Sequence, residues 1–319
     1  MRLTPEGRRE ALPCQPLLLV LNKHEDTLAY VDPDRLEVLA KIPAGRDPHE
    51  IVTRADGRFA YVSNYAPPGN TVSVLDLVTR RRFPPIPTGE HARVHGAAVS
   101  PDGWWGYFTA TQAAEVIEVD LRTRALTRTI PTGGSVSHMV AVSPDGRFLY
   151  TANLGTQDVS VLERASGDLV SRVPCGRGGE GLTFAPDGRS LWVANQEAAS
   201  ITVISFPEHE VARTIPCPGV PLRIRFTADG RLALVSSWEE RGALVVLEAD
   251  TGTEMKRLPL GNQPIGVEIS PDGRRAFVTN MSSDEVHTID MTSLEVAGVF
   301  HTGRGPDGMA WWPGPAREE

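Results

Sequence analysis

Three of the chain's eight histidines stand at nearly regular spacings and could together bind a metal ion. His49, His95 and His138 are separated by 46 and 43 residues, and Glu180 follows 42 residues later. Near-equal intervals of this length place side chains at equivalent positions of a structural repeat. Three neutral imidazoles with an open position form a catalytic metal arrangement, and a nearby carboxylate can complete or orient it.

The elements that position these residues are marked by a recurring turn. Six Asp-Gly dipeptides follow one another at spacings of 42 to 46 residues. The dipeptides are Asp56-Gly57, Asp102-Gly103, Asp145-Gly146, Asp187-Gly188, Asp229-Gly230 and Asp272-Gly273. Asp followed by Gly suits a tight turn between antiparallel strands, because Gly tolerates positive φ. Each dipeptide therefore predicts a turn that joins two strands of one unit.

Each unit reads as four short strands, which we label A to D. The second unit illustrates the pattern: strand B ends at Tyr61–Asn64, strand C is the alternating segment Val72–Asp76, and strand D ends at Ile86–Gly89. Alternation at period two with turn residues between the segments is typical of strands. Four-stranded repeats of about 42 residues are typical of propeller blades.

The two ends of the chain complement each other. The first unit begins with a strand B ending at Leu19–Asn22 and lacks strand A, whereas Gly305–Trp312 matches strand A alone. The C-terminal strand is therefore expected to join the first blade and remove the open edges of the ring. The sequence predicts an all-β, seven-bladed β-propeller over 17–312, with an N-terminal arm, 1–16, and a C-terminal tail, 313–319.

The strand B endings carry a family resemblance. Tyr61–Asn64 reads Tyr-Val-Ser-Asn, Phe277–Asn280 reads Phe-Val-Thr-Asn, and degenerate copies occur in all seven units, with Ala110 and Ser237 replacing the Asn. The chain thereby resembles the YVTN family of seven-bladed β-propellers over about residues 17–312. The resemblance implies the fold, but propellers host unrelated activities. The Asn residues themselves are expected to cap the turn between strands B and C.

The repeat register places the histidines at one depth of the ring. Round the ring from blade 1, the equivalent position near the start of strand A holds Asp307, His49, His95, His138, Glu180, Leu222 and Ile265. Strand A is innermost in a propeller, so these side chains are expected to rim the axial channel. The alternative interpretation is a polar, water-filled channel mouth in which the histidines are hydrogen-bonded to one another's loops.

The resulting hypothesis is a divalent transition-metal site. His49, His95 and His138 are the predicted ligands, and Glu180 or Asp307 is expected to complete or orient the shell or to act as general base. Three imidazoles with a carboxylate suit Zn, Fe, Cu or Ni, whereas Mg²⁺ and Ca²⁺ prefer oxygen ligands. The metal identity and the reaction class (lyase, hydrolase or oxidoreductase) are left open.

The loops over the same face are expected to contact a small-molecule substrate, because loops on a rigid scaffold carry specificity residues. The candidate substrate-binding residues are Arg93, Tyr65, His24, Trp238 and Arg223. Arg93 could bind an anionic group. Arg223, Arg225 and Glu268 occupy inner positions where other blades have small residues. They are expected either to form an ion pair between neighbouring strands or to present an anion-binding wall opposite the histidines.

Composition limits the partners. Lys plus Arg is 32 and Asp plus Glu is 40, and a net charge of -8 argues against nucleic acid. The apolar stretch Leu17–Leu21 is too short for a secretory signal or a membrane span. The chain has three cysteines, Cys14, Cys175 and Cys217, and they form no CxxC motif, which argues against a disulfide framework. We expect a cytoplasmic, monomeric protein without membrane partners. The alternative to a metal-dependent enzyme is a non-catalytic binding or scaffold propeller.

Overall fold

The computed structural model of the protein describes residues 15–239 and 241–314. In this part of the chain, 28 strands form seven four-stranded antiparallel sheets. The inner strand of each sheet contacts the inner strand of the next, and the last contacts the first, so the sheets form a closed ring of blades. The prediction of an all-β, seven-bladed propeller is confirmed.

The four strand positions repeat in every blade. The innermost strands, A, are β4 (Pro48–Thr53), β8 (Val94–Val99), β12 (Ser137–Val142), β16 (Gly179–Phe184), β20 (Pro221–Phe226), β24 (Pro264–Ile269) and β28 (Pro306–Trp312). Strands B are β1 (Leu17–Asn22), β5 (Phe59–Asn64), β9 (Trp105–Ala110), β13 (Phe148–Asn153), β17 (Ser190–Asn195), β21 (Leu232–Ser237) and β25 (Arg275–Asn280). Strands C are β2 (Thr27–Asp32), β6 (Thr71–Asp76), β10 (Glu115–Asp120), β14 (Asp158–Glu163), β18 (Ser200–Ser205), β22 (Gly242–Glu248) and β26 (Glu285–Asp290). Strands D, outermost, are β3 (Glu37–Pro43), β7 (Arg81–Pro87), β11 (Ala125–Pro131), β15 (Leu169–Pro174), β19 (Val211–Pro216), β23 (Glu254–Gly261) and β27 (Glu295–Phe300).

The C-terminal strand closes the ring. β28 pairs antiparallel with β1, with Leu17 opposite Trp312, and the first blade has the strand order β28-β1-β2-β3. The Trp312 indole donates a 2.5 Å hydrogen bond to the carbonyl of Gly57 in the second blade and packs edge-on against Tyr30. The predicted closure is confirmed, and one large side chain ties the C-terminal strand to the next blade.

The hydrophobic core lies between adjacent blades. Leu19 and Tyr30 of the first blade pack with Val62 and Leu75 of the second, and all four are fully buried. Burial of one such aliphatic side chain contributes roughly 1.5–3 kcal/mol. Because every blade is clamped between two others in this way, the inner strands form a fixed wall around the axial channel.

Local hydrogen bonds explain the repeated motifs. In the first Asp-Gly turn, Gly57 has φ of 66° and the Asp56 carboxylate accepts a 3.0 Å hydrogen bond from the Arg58 amide. At the end of β13, the Asn153 amide donates 2.8 Å hydrogen bonds to Asp158 and Ser160 across the turn to strand C. The predicted roles of the turn and of the strand-end asparagine are therefore present in the fold.

Cys217 is buried and Cys175 half-buried, and both are free thiols. Cys14 and the predicted N-terminal arm up to residue 14 lie outside the described residues, as do residues 315–319 of the predicted tail. Within the described ranges, no helix is long and apolar enough to cross a membrane.

Candidate functional site

The candidate site residues occupy the same position in successive inner strands. His49, His95, His138, Glu180 and Asp307 are each the second residue of their strand A. In every blade the pairing of strand A with strand B shifts register at this point. Such a bulge bends the strand and re-aims its side chains. The repeat therefore delivers these five side chains to one end of the channel.

The crowding of the inner strands explains why a small residue often comes directly after the candidate site residue in strand A. A Cβ on Gly96 would lie 2.6 Å from the carbonyl oxygen of His138, and one on Gly308 would lie 2.1 Å from that of His49. Both distances are shorter than a van der Waals contact, so glycine allows the neighbouring strands to approach. This approach brings the side chains of successive blades into contact.

The three imidazole rings lie side by side. The ring centroids of His49 and His95 are 4.6 Å apart, and those of His95 and His138 are 3.7 Å apart with an interplanar angle of 28°. Tyr65 covers this row, with its ring centroid 4.8 Å from that of His49 and 5.3 Å from that of His95. His49 and His95 are buried, so this row of rings is largely withdrawn from bulk water.

A carboxylate faces each end of the row. The Asp307 Oδ2 atom lies 3.4 Å from His49 Nδ1 and 3.3 Å from Lys23 Nζ. The Glu180 Oε2 atom lies 3.1 Å from His138 Nε2. In metal sites with histidine ligands, a carboxylate often accepts a hydrogen bond from the ring nitrogen that is not bound to the metal. The contact of Glu180 with His138 corresponds to this pairing, whereas Asp307 faces His49 without accepting a hydrogen bond from it.

One nitrogen of each ring is left without a hydrogen bond. Among the described residues, His49 Nε2, His95 Nδ1 and His138 Nδ1 are buried and make no hydrogen bond of good geometry, and Asp47 Oδ1 lies 3.5 Å from His49 Nε2. Burial, reinforced by His138 and His49, lowers the pKa of His95 well below its ordinary value. The central ring is therefore neutral at pH 7, which is the form that binds metal ions.

The rings are not arranged around a common point. No group of three or more His, Cys, Asp or Glu in residues 15–239 and 241–314 has the geometry to hold a metal ion. The stacking of His95 on His138 contributes to this, because the in-plane lone pairs of two stacked rings lie in nearly parallel planes instead of converging on one point. The donor atoms fit a transition metal in type and number, and binding one requires these two rings to turn apart.

Below the histidines, Arg223 spans the channel. Its Nη1 donates a 2.7 Å hydrogen bond to Glu180 Oε1 in blade 5, and its Nη2 donates one of 2.8 Å to Glu50 Oε1 in blade 2. Arg223 lies in blade 6, so the second bond crosses the axis. Burial alone would raise the pKa of Glu180, but His138 and Arg223 outweigh it and lower that pKa to about 2.

A family profile identifies the chain. The YNCE-like beta-propeller profile matches residues 95–267, which is more than half of the sequence. The chain belongs to the YNCE-like β-propeller family. This agrees with the resemblance to YVTN-type repeats. No curated protein matches it.

Solved structures similar to this YNCE-like propeller include several enzymes. A putative 6-phosphogluconolactonase from Bacteroides uniformis has a TM-score of 0.78 and 15% identity, with 94% of this chain and 100% of that chain covered. The periplasmic gluconolactonase PpgL of Pseudomonas aeruginosa has a TM-score of 0.76 and 20% identity, with 93% of this chain and 99% of that chain covered. Hydrazine synthase of Kuenenia stuttgartiensis has a TM-score of 0.73 and 19% identity, with 82% of this chain and 88% of that chain covered. At these identities the likeness shows the fold alone.

Two of the five candidate substrate-binding residues lie beside the histidines of this YNCE-like propeller. Arg93 Nη1 donates a 3.1 Å hydrogen bond to the Tyr65 hydroxyl, and the Arg93 guanidinium lies 5.2 Å from the centre of the Tyr65 ring. His24 is exposed, in the turn after β1. Trp238 belongs to blade 6, which does not adjoin the blades that carry the histidines. Arg223 directs its guanidinium to two glutamates instead of to open space.

The charged residues around Arg223 were only partly predictable. The ion pair between neighbouring strands is present, since Arg225 Nη2 lies 3.0 Å from Glu268 Oε1. Glu50 and Lys23 were not identified from the sequence. Glu50 did carry a signal, because it stands where Gly96 and Gly308 occupy the equivalent position. Lys23 simply follows strand β1, and its local sequence contains no indication of its contact with Asp307.

The low pKa of Glu180 predicts a specific loss of stability in acid. Its folded-state pKa of about 2 lies below the ordinary value of 4.5, so its ionised form stabilises the folded state fully above pH 4.5. That contribution falls as the pH drops from 4.5 toward 2. We expect the stability difference between the wild type and Glu180→Gln, measured by urea unfolding, to shrink across this window. A difference that stays constant there would contradict the assignment.

Proposed function

We propose that this YNCE-like propeller is a metal-dependent enzyme that acts on a small molecule at the histidine end of its channel. His49, His95 and His138 would hold a divalent transition-metal ion. The observation that carries the proposal is the set of three buried ring nitrogens that make no hydrogen bond of good geometry, of which His49 Nε2 faces Asp47 at 3.5 Å. Carboxylates also face the other nitrogens of the two outer rings. When bound, such an ion supplies a Lewis acid for hydrolysis or elimination, or a redox centre if it is iron or copper.

The two carboxylates would have different roles. Glu180 contacts both His138 and Arg223, and with a pKa of about 2 it is too weak a base to take up a proton near pH 7. We therefore assign Glu180 to positioning His138. Asp307 contacts His49 and Lys23, and its Oδ2 accepts no hydrogen bond from the described residues. Asp307 is the carboxylate that we assign to moving a proton.

Substrate binding would fall to Arg93 and Tyr65. The Tyr65 ring contacts both His49 and His95, so a substrate bound at these histidines would contact it as well. Arg93 gives one of its N–H groups to the Tyr65 hydroxyl and has further donors for an anionic group of the substrate. This pair favours a small molecule that carries a carboxylate or a similar anion.

A second candidate function is a binding or scaffold propeller without catalysis. The stacked arrangement of His95 and His138 favours it, because these rings are in contact and no described group has metal-holding geometry. In that case the row of rings would close the channel mouth, and Arg93 and Tyr65 would bind a small anion without turning it over. The two functions differ in whether the folded protein carries a metal ion.

Elemental analysis of protein purified without chelator tests the proposal. We expect about one equivalent of zinc, iron, copper or nickel per chain, and His301→Ala, at an exposed histidine, should retain the same content. The identity of the metal would separate hydrolysis or elimination from oxygen chemistry. Protein that contains none of these metals would favour the binding or scaffold function.

A further inference from the structure

A cavity lies in the axial channel, farther along the inner strands than the histidines. It has a volume of about 350 Å³ and is lined by the middle and end of the strands, with Ile51, Leu182, Ile224 and Met309 among its apolar residues. This volume is within the range of small-molecule sites, which are mostly apolar with a few polar groups. The cavity is therefore large enough for a compact organic molecule.

The Arg223–Glu50 ion pair separates this cavity from the histidines. It joins blades 6 and 2 across the axis, and both residues line the cavity. A void of about 10 Å³ beside the pair also borders Asp307. A void of this size holds at most one water molecule. An organic molecule could therefore not pass through this void to reach Asp307. The cavity lies along the middle and end of the inner strands, and we treat it as a site separate from the histidines.

Each carboxylate on the charged wall of the cavity uses only one oxygen in its ion pair. Arg223 donates through Nε and Nη2 to a single oxygen of Glu50, at 3.2 and 2.8 Å. Arg225 likewise donates through Nε and Nη2 to a single oxygen of Glu268, at 3.1 and 3.0 Å. In each pair one carboxylate oxygen receives both donors. The other oxygen of each carboxylate takes no part in the pair.

The cavity is lined by two carboxylates, Glu50 and Glu268, and two guanidinium groups, Arg223 and Arg225. Arg223 also donates to a third carboxylate, Glu180, which lies outside the lining. Burial raises the pKa of Glu268, and Arg225 offsets only part of this effect. An additional positive charge in the cavity would stabilise the ionised form of Glu268, whereas an additional negative charge would oppose it.

From this geometry we infer that the cavity is a binding site for a compact organic amine. The ammonium group would bind the second oxygens of Glu50 and Glu268, which take no part in the ion pairs, and the hydrocarbon part would pack on Ile51, Leu182 and Met309. Both the polar and the apolar requirement of the ligand are met by residues that line one cavity. The site does not depend on metal binding at the histidines.

Calorimetric titration at low ionic strength with three probes of similar shape tests this inference. The probes are cyclohexylmethylamine, cyclohexylmethanol and cyclohexanecarboxylate. We expect the amine to bind at least about 10-fold more tightly than the alcohol, and the carboxylate to bind most weakly, because only the ammonium group gains a charge-assisted hydrogen bond. Glu268→Gln should remove most of the advantage of the amine, and Glu295→Gln, on the outer strand of the same blade, should leave it unchanged.

A second variant separates the site from general effects of charge. Ala97 lines the cavity, and Ala97→Leu places a larger side chain in its volume. If the variant remains folded by thermal unfolding, it should weaken binding of the amine at least about 10-fold without any change of charge. The inference is overturned if the three probes bind equally, or if neither Glu268→Gln nor Ala97→Leu weakens binding of the amine.

Discussion

His95→Ala is expected to lower the affinity of the protein for a transition-metal ion by more than about 100-fold. Loss of an outer-shell partner typically costs 10–100-fold, and loss of a ligand should cost more. His95 is the central member of the row, with ring contacts to both His49 and His138, so no other imidazole can take its place. The affinity would be measured by titrating metal-stripped protein with Zn²⁺.

The control for this prediction distinguishes a ligand from a positioning residue. Glu180→Gln keeps the shape of the side chain that contacts His138 but removes its charge, so we expect a smaller, 10–100-fold loss of affinity. If His95→Ala and Glu180→Gln had the same small effect, His95 would not be a ligand. The row of histidines would then be better explained as a packed, polar channel mouth.

Arg223→Met is expected to lower the free energy of unfolding by about 3–5 kcal/mol, the usual cost of removing one partner of a buried ion pair. The side chains of Arg223, Glu180 and Glu50 are 8%, 8% and 14% exposed, so the variant leaves two carboxylates with little access to water. Urea unfolding at pH 7 would measure the loss. A matched control is Arg274→Met, whose side chain is 84% exposed and which should change stability by less than about 0.5 kcal/mol.

A compensating variant tests the cause of this destabilisation. Adding Glu50→Gln and Glu180→Gln to Arg223→Met removes the unpaired charges, and we expect this triple variant to recover a large part of the lost stability. If Arg223→Met cost less than about 1 kcal/mol, the cross-channel pair would not hold blades 2 and 6 together. If the triple variant recovered nothing, packing of the Arg223 stem would explain the loss better than charge.

The fold was predictable because its signals are local. Asp56-Gly57 and its equivalents define turns through their own backbone. Strand B ends at Asn64 and at Asn153, and the amides of both bond to residues at the start of the following strand. Period-two alternation then follows strand by strand. Even the closure of the ring could be derived. The first blade lacks strand A at the N-terminal end of the chain, and the C-terminal end carries a strand A without a blade of its own, so the two must pair.

The site was predictable in position but not in contacts. The repeat register placed His49, His95 and His138 at one depth, and in the structure their rings are neighbours. The stacking of these rings depends on side-chain rotation, which the spacing does not determine. The cross-channel bond between Arg223 and Glu50 joins residues 173 positions apart in blades that are not adjacent. Only the closed ring brings such residues together.

The most direct test of the proposed function is the titration of metal-stripped, full-length wild-type protein with Zn²⁺ by calorimetry. Our account predicts a single site per chain, with submicromolar affinity that is lost in His95→Ala and kept in His301→Ala. Absence of a saturable site in the wild type, or the same binding in all three proteins, would contradict it.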